Sequence, residues 1–344
     1  MSYKARFVMG DSLSDNDVLA WRELLQVSAP LGNAFVSPTF AAAAAKVYGR
    51  VEACFIESSS GLAAVFPYQF PTAFAAAARA AVRVGEEMSD LFGVIARPDF
   101  RCTPQELLAW ADLNYIYFTH LEEAQLNLGL SGEKPEGGLR IRLPHGGAAY
   151  LEDLRRSDPK FSKDTERRLR KAAQELGESR FCLEEPDPAA WLPRVLAEKR
   201  AQYLRTGHDD WLAPPGRSKL LEILSHVREP DCSPIVSTLA FGDTWAAIHF
   251  GLRAGRTLHY WFPVYNPALA SYAPGRLLLH HIIANADQGG IEIIDRGSGE
   301  SQAKRDFPSE RHMFYSGVWY RPGLRSFIYR AFQSAVWRMP KLTK

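Results

Sequence analysis

Two histidines, His249 and His259, stand on neighbouring β-patterned segments, and an acid and a base, Asp295 and Lys304, follow close behind. Imidazole takes up and returns protons near neutral pH, so both histidines are candidate proton acceptors. Asp295 ends a strand-like run, where ligand sites in α/β proteins gather, and Glu300 lies a few residues beyond it. Between these groups, Ser271, Tyr272, Ala273, Pro274, Gly275, Arg276 and Leu277 read as a turn entering an apolar helix. The first N–H groups of a helix have no partner of their own, and its dipole favours negative charge. Such a start is a seat for phosphate or pyrophosphate, with Arg276 adding charge. Upstream, Lys199 and Arg200 stand near a helix end, placed either to hold an anionic acceptor or to face solvent in an ordinary i,i+4 pattern. Each residue also has a plainer role, since a histidine in a sheet more often lines a core and a Pro-Gly turn more often only turns.

The elements that must position these groups can be read from periodicity. Residues 234–265 alternate as three consecutive antiparallel strands, turned at Gly242-Asp243 and Ala254-Gly255. Residues 277–284 are an apolar helix, and residues 291–294 a further strand. Upstream come a strand at 179–186, a helix over 188–207 and an amphipathic helix over 218–230. A strongly charged helix over 163–176 is closed by Gly177. Its cluster of Arg167, Arg168, Arg170 and Lys171 is either a solvated face or a polyanion-facing patch.

The first 130 residues also alternate strands and helices, and two Gly/Pro-rich stretches, 130–138 and 143–149, read as loops leading into the next domain. One motif there misleads. FVMGDSLSD over residues 7–15 has the first block of the GDSL esterases, with Ser12 as nucleophile, but no Asp-x-x-His occurs anywhere in the chain. Ser14 or Asp15 as cap of the following helix is the better reading. After residue 310 comes a basic tail, in which residues 326–339 have the pattern of an amphipathic helix.

A length of 344 residues suits two domains, and 46% hydrophobic with 23% charged residues is a globular composition. A net charge of +2 argues against a general nucleic-acid binder. The four cysteines are scattered without a CxxC pair, so neither a metal site nor a disulfide framework is expected. No apolar run suits a signal peptide or a membrane span, and a cytoplasmic location is expected.

Three stretches carry a family resemblance: W-x-x-I-H-F-G-L-R-x-G-x-x-L from Trp245, Y-N-P-x-L-A-x-Y-A-P-G-x-L-L-L from Tyr265, and I-D-R-G-S-G-E-S-Q-A-K-R-D-F from Ile294. The order of elements between Trp245 and Ile294 resembles the core of the GNAT acyltransferases. The motifs are similar to those of the CelD/BcsL-type acetyltransferases of cellulose and polysaccharide biosynthesis, relatives of the FemAB peptidyltransferases. That resemblance implies an α/β (α+β) fold of two tandem GNAT-like domains: residues 1–149 without cofactor, residues 150–315 as the acyltransferase, and a tail, 316–344, packing back on the first. It implies acetyl-CoA as co-substrate with no metal, and an amine or hydroxyl of a sugar, polysaccharide or cell-envelope precursor as acceptor. Tyr265 and residues 271–277 would hold the cofactor, His249, Asp295 and Lys304 would act in catalysis, and Lys199, Arg200, His259 and Glu300 would meet the acceptor. A peripheral contact with a membrane-bound polysaccharide assembly follows as the implied partner. Two other readings stand beside it: Fem-like transfer from an aminoacyl-tRNA, in which the basic helix and tail would meet RNA, and a silent GNAT-like binding subunit. The family's Tyr-Asp is Tyr265-Asn266 here, and no catalytic role is given to residue 266.

Overall fold

A computed structural model describes residues 3–28, 32–307 and 310–323, and the expected amphipathic helix at 326–339 lies outside them. The chain forms two compact units, the first built from the described residues before 29 with 35–136 and 313–323, the second from 32–34 and 137–312. The division between Glu136 and Gly137 falls ahead of residue 149 because residues 137–149 give a strand and the start of a helix to the second unit.

The first unit runs β1 (Lys4–Met9), α1 (Asp15–Val27), α2 (Pro38–Tyr48), β2 (Val51–Ser58), β3 (Gly61–Gln69), α3 (Ala73–Ala77), β4 (Ala80–Val82), β5 (Ile95–Ala96), α4 (Pro104–Trp110) and β6 (Tyr115–Glu122). Its helices start where side chains can take the orphan N–H groups. Ser14 and Asp17 form a capping box on α1, Ser37 caps α2 ahead of Pro38, and Thr103 with Glu106 boxes α4. Ser12 is exposed; its hydroxyl donates to Asp11 and its N–H to the Met9 carbonyl, as in a turn. Phe66, Tyr68, Phe92, Phe118 and Trp319 pack in the core of this unit.

The second unit holds β7 (Lys134–Arg142), α5 (Gly146–Ser157), α6 (Pro159–Leu176), β8 (Ser179–Cys182), α7 (Pro188–Arg205), α8 (Pro215–Ser225), β9 (Ser233–Phe241), β10 (Thr244–Ala254), β11 (Thr257–Tyr265), α9 (Pro274–Ala284) and β12 (Ile293–Ser298). The chain leaves through β13 (Glu310–Tyr320), whose residues Phe314 to Tyr320 pair with β6. The strand order is β1-β2-β3-β4-β6-β13 in the first unit, with β5 on β3, and β7-β12-β11-β10-β9-β8 in the second. Each unit has one parallel pair, β4 with β6 and β11 with β12, and the remaining neighbours are antiparallel.

Two expectations need correction. The Gly/Pro-rich residues from 134 belong to strand β7, whose residues from Gly138 to Arg142 pair with β12 whatever their propensity. The stretch 143–149 holds the first turn of α5, and Asp158-Pro159 separates α5 from α6. In α9, Leu277, Leu278, Ile282 and Ile283 are fully buried against Leu239, Phe241 and Ile294. Each such side chain contributes on the order of 1.5–3 kcal/mol, enough to fix the helix on the sheet. No helix among the described residues is long and apolar enough to cross a membrane.

Candidate functional site

β11 and β12 pair in parallel only through Thr257, Leu258 and His259, opposite Ile293, Ile294 and Asp295. Past His259 the two strands part, and among the described residues no strand covers that edge of β11. The ladder phase tells which groups face the gap. Asn266 N–H bonds the Ala246 carbonyl, and the register sets His249 opposite Pro263. In an antiparallel ladder bonded and non-bonded pairs alternate, so the backbone groups of Pro263 point away from β10. Trp261 and Tyr265 share that direction. That edge of β11 thus faces the gap with no neighbouring strand among the described residues, and another extended chain could lie along it.

At the mouth of the gap, a 3₁₀ turn (Pro267–Tyr272) leads into α9. Asn266 caps this turn through Ala268 N–H and bonds the Trp245 carbonyl, which accounts for its side chain structurally. Ala273, at the N-cap of α9, is left-handed (φ 56°, ψ 54°) and supplies no side-chain cap. An alanine in this region costs roughly 1–2 kcal/mol, a strain often found at ligand sites. Arg276 and Leu277 N–H return to the Ala273 carbonyl, Pro274 has no N–H, and Gly275 N–H has no acceptor among the described residues. A Cβ on Gly275 would meet nothing within 4 Å, so the space before the helix is open. Leu277 is fully buried and anchors the turn; Ser271 is exposed and Tyr265 half-buried.

Helix α6 braces this turn. Arg168 Nη1 bonds the Ser271 carbonyl at 2.5 Å, and the Tyr272 hydroxyl bonds Glu175. Arg276 lies between Asp164 and Asp306, each at 3.1 Å, over the ring of Phe161. Hydrogen bonds from Arg168 and Arg167 pull the Asp164 carboxyl down to about 2. Asp164 thus pairs with Arg167 and Arg168, and Glu175 with Lys171, all on α6.

Where the parallel pair ends, Asp295 is buried with His259, Arg140 and His312. Arg140 Nε donates to Oδ2 at 3.2 Å, Gly297 N–H to Oδ1 at 2.8 Å, and His259 Nδ1 stands 3.9 Å from Oδ1. Burial raises the carboxyl pKa, but His259, Arg140, His312 and the Gly297 N–H outweigh it and hold Asp295 below its ordinary value. His312 is pushed down to about 4 by burial and by Arg140.

The other expected site residues lie in different settings. His249 is fully buried, stacked on Tyr260 with centroids 4.2 Å apart, and has the backbone of His259 as a polar neighbour. Burial and nearby His259 push it down to about 3, the setting of a core histidine. Lys304 Nζ bonds the Ser298 carbonyl and its own carbonyl accepts from Arg296, tying the 3₁₀ turn (Gln302–Asp306) to β12. Glu300 pairs with Arg311 at 2.7 Å. Arg200 bonds the Leu212 carbonyl, Ser218 and Asp210, bracing the loop between α7 and α8. Lys199 reaches back to β11, its Nζ 3.4 Å from the Pro263 carbonyl and 3.3 Å from Gln202. Burial pushes it down to about 8. Sequence reasoning missed Arg140, Asp164 and Asp306 as partners. The acid–base spacing of α6 was the only local signal for any of them.

Residues 159–305 match the family model described as an acetyltransferase (GNAT) domain. No curated protein matches the chain. Among solved structures, FemX is similar at a TM-score of 0.59 and 9% identity, over 95% of this chain and 100% of that one. The C-terminal domain of a putative lysylphosphatidylglycerol synthetase from Agrobacterium fabrum matches at 0.53 and 12%, over 92% and 96%. A tandem GNAT protein from the clavulanic acid biosynthesis pathway matches at 0.50 and 12%, over 94% and 100%. At these identities the likeness is one of fold: the chain has an α+β architecture like that of the GNAT acyltransferases, and the match to the GNAT domain model falls in its second unit.

Proposed function

We propose that the second unit moves an acyl group, acetyl in the first instance, from acyl-CoA to an amine or hydroxyl of a sugar, polysaccharide or cell-envelope precursor. One observation carries the reading: a parallel strand pair that parts after His259 and opens toward an uncapped helix start with free space at Gly275. A pyrophosphate fits that start, receiving the Gly275 N–H, with Ser271, Tyr272, Ala273, Pro274 and Arg276 around it. The amide-bearing pantetheine arm fits the edge of β11 from Tyr265 inward, as a strand would. The thioester then lies near the point where the strands close, beside His259. We assign His259 as proton acceptor for the incoming amine or hydroxyl, with ionised Asp295 orienting the ring. His249 and Lys304 receive no catalytic role, since each is engaged in packing or in bracing β12.

The finer likeness to the CelD/BcsL-type group supports a saccharide acceptor and a place in the cytoplasm beside a membrane-bound polysaccharide assembly. Transfer from an aminoacyl-tRNA has less support, because Arg167 and Arg168 of the cluster that would meet RNA both pair with Asp164. Calorimetric titration with acetyl-CoA and with CoA tests the proposal. Saturable binding of both is expected, and a folded sample that binds neither overturns it.

A further inference from the structure

Along the open edge of β11, Trp261 and Tyr265 each present an N–H and a carbonyl toward the gap, but Pro263 between them presents a carbonyl alone. A proline suits an edge strand, where no ladder bond is lost. It also deletes a donor from the surface assigned above to an amide-bearing arm. An arm lying there as a strand brings carbonyl oxygens that need N–H partners, and the one opposite Pro263 finds none on the backbone.

Lys199 stands at that gap. It comes from α7, and its Nζ lies 3.4 Å from the Pro263 carbonyl. Its second contact is the side-chain oxygen of Gln202 at 3.3 Å, and the ring of Tyr203 lies 5.6 Å away. An ammonium has three N–H donors, so one is left over after these two contacts. Among the described residues no carboxylate pairs with Lys199, which is uncommon for a lysine so withdrawn from water. Burial lowers its pKa to about 8, which keeps it protonated at neutral pH.

We infer that Lys199 supplies to a carbonyl oxygen of the bound pantetheine arm the hydrogen bond that Pro263 cannot. This rests on the acyl-CoA reading above and deepens it by naming a binding residue for the arm. Lys199 is a donor to the cofactor and takes no part in moving the proton. The cation also remains fixed on the strand by the Pro263 carbonyl, so it is oriented before the ligand arrives.

The test separates the arm from the nucleotide end. Wild type, Lys199→Met, Pro263→Ala and the double variant are titrated with acetyl-CoA and with adenosine 3′,5′-bisphosphate, which lacks the arm. Loss of one charge-assisted hydrogen bond predicts a roughly tenfold or greater weakening of acetyl-CoA in Lys199→Met, with bisphosphate affinity unchanged. Pro263→Ala restores a backbone N–H at the same point, so the double variant recovers most of the loss. Unchanged acetyl-CoA affinity in Lys199→Met, equal weakening of both ligands, or a loss that alanine at 263 does not recover each overturns the inference. A wild-type protein that binds neither ligand overturns the acyl-CoA reading itself, a result visible before any variant is compared.

Discussion

Replacing Gly275 with tryptophan tests the anion seat without disturbing what holds the helix. A Cβ at 275 meets no atom within 4 Å, and the residue lies outside the left-handed region, so the indole enters open space and not the core. Glycine within a helix is about 0.8–1 kcal/mol less favourable than alanine, and other residues lie at most ~0.7 kcal/mol below alanine. The folded state should therefore gain a few tenths of a kcal/mol or stay level, and the melting temperature should move by no more than ~2 °C. Binding should respond very differently. The indole covers the Gly275 N–H and the space a pyrophosphate needs. One charge-assisted hydrogen bond at about 1.5–3 kcal/mol predicts a loss of roughly tenfold to a hundredfold, before the steric exclusion is added. Calorimetry with acetyl-CoA reads the loss and thermal unfolding reads the fold, with Gly275→Ala as the control that keeps both. A folded tryptophan variant that binds acetyl-CoA as wild type does would refute the placement of the pyrophosphate at α9.

Three further outcomes are expected. Ala273→Asp puts a carboxylate at the start of α9 in a residue type that tolerates the left-handed region, so thermal stability should hold or rise while acetyl-CoA weakens. A unit charge ~5 Å from a phosphate repels it by about 1–3 kcal/mol across water-like to surface dielectrics, and calorimetry should find a fall of that size. Asp295→Asn leaves Arg140 buried without its anion and should cost about 3–5 kcal/mol in urea unfolding. The folded pKa of Asp295 is depressed, so its stabilisation is present above the unfolded value and is lost as pH falls through the folded one. Acid unfolding of the asparagine variant should be correspondingly less steep. Arg168→Ala removes the largest influence on Asp164, whose carboxyl should rise from about 2 toward its ordinary value in an NMR titration.

Local pattern carries much of the second unit. The alternation in β9, β10 and β11, the turns at Gly242 and Gly255 and the apolar stripe of α9 are all written in neighbouring residues. Strand β7 is not, because Lys134-Pro135-Glu136-Gly137-Gly138 has loop propensities and becomes a strand only by pairing with a segment more than a hundred residues away. The same distance hides the site's partners. Arg140 meets Asp295 and Asp164 meets Arg276 across long separations, and no spacing in either neighbourhood announces the pair. Residue type marked His249 as a base, but its solvation is set by the packing of Tyr260 and the sheet, and burial leaves it a neutral core ring. Packing also changed Lys199, whose place on α7 was legible while its withdrawal from water was not.

Each unit encloses one helix between the two strands of its parallel pair, α4 between β4 and β6 in the first and α9 between β11 and β12 in the second. Their starts differ in a way that matters for an anion. Thr103 takes the Glu106 N–H, and the Glu106 carboxylate in turn accepts from the N–H and hydroxyl of Thr103. Those bonds hold the Glu106 carboxyl below its ordinary value, so α4 keeps a negative charge of its own at its positive end. An incoming phosphate there would have to displace or face that carboxylate. At α9 the cap is an alanine, the next residue lacks an N–H, and the first free donor belongs to a glycine facing open space. The capping box makes α4 self-sufficient, whereas α9 keeps a strained, uncapped start, the one to which the proposed reading assigns an anion. Strand, helix and strand recur in both units, and the helix start is where the two differ in what they offer an anion.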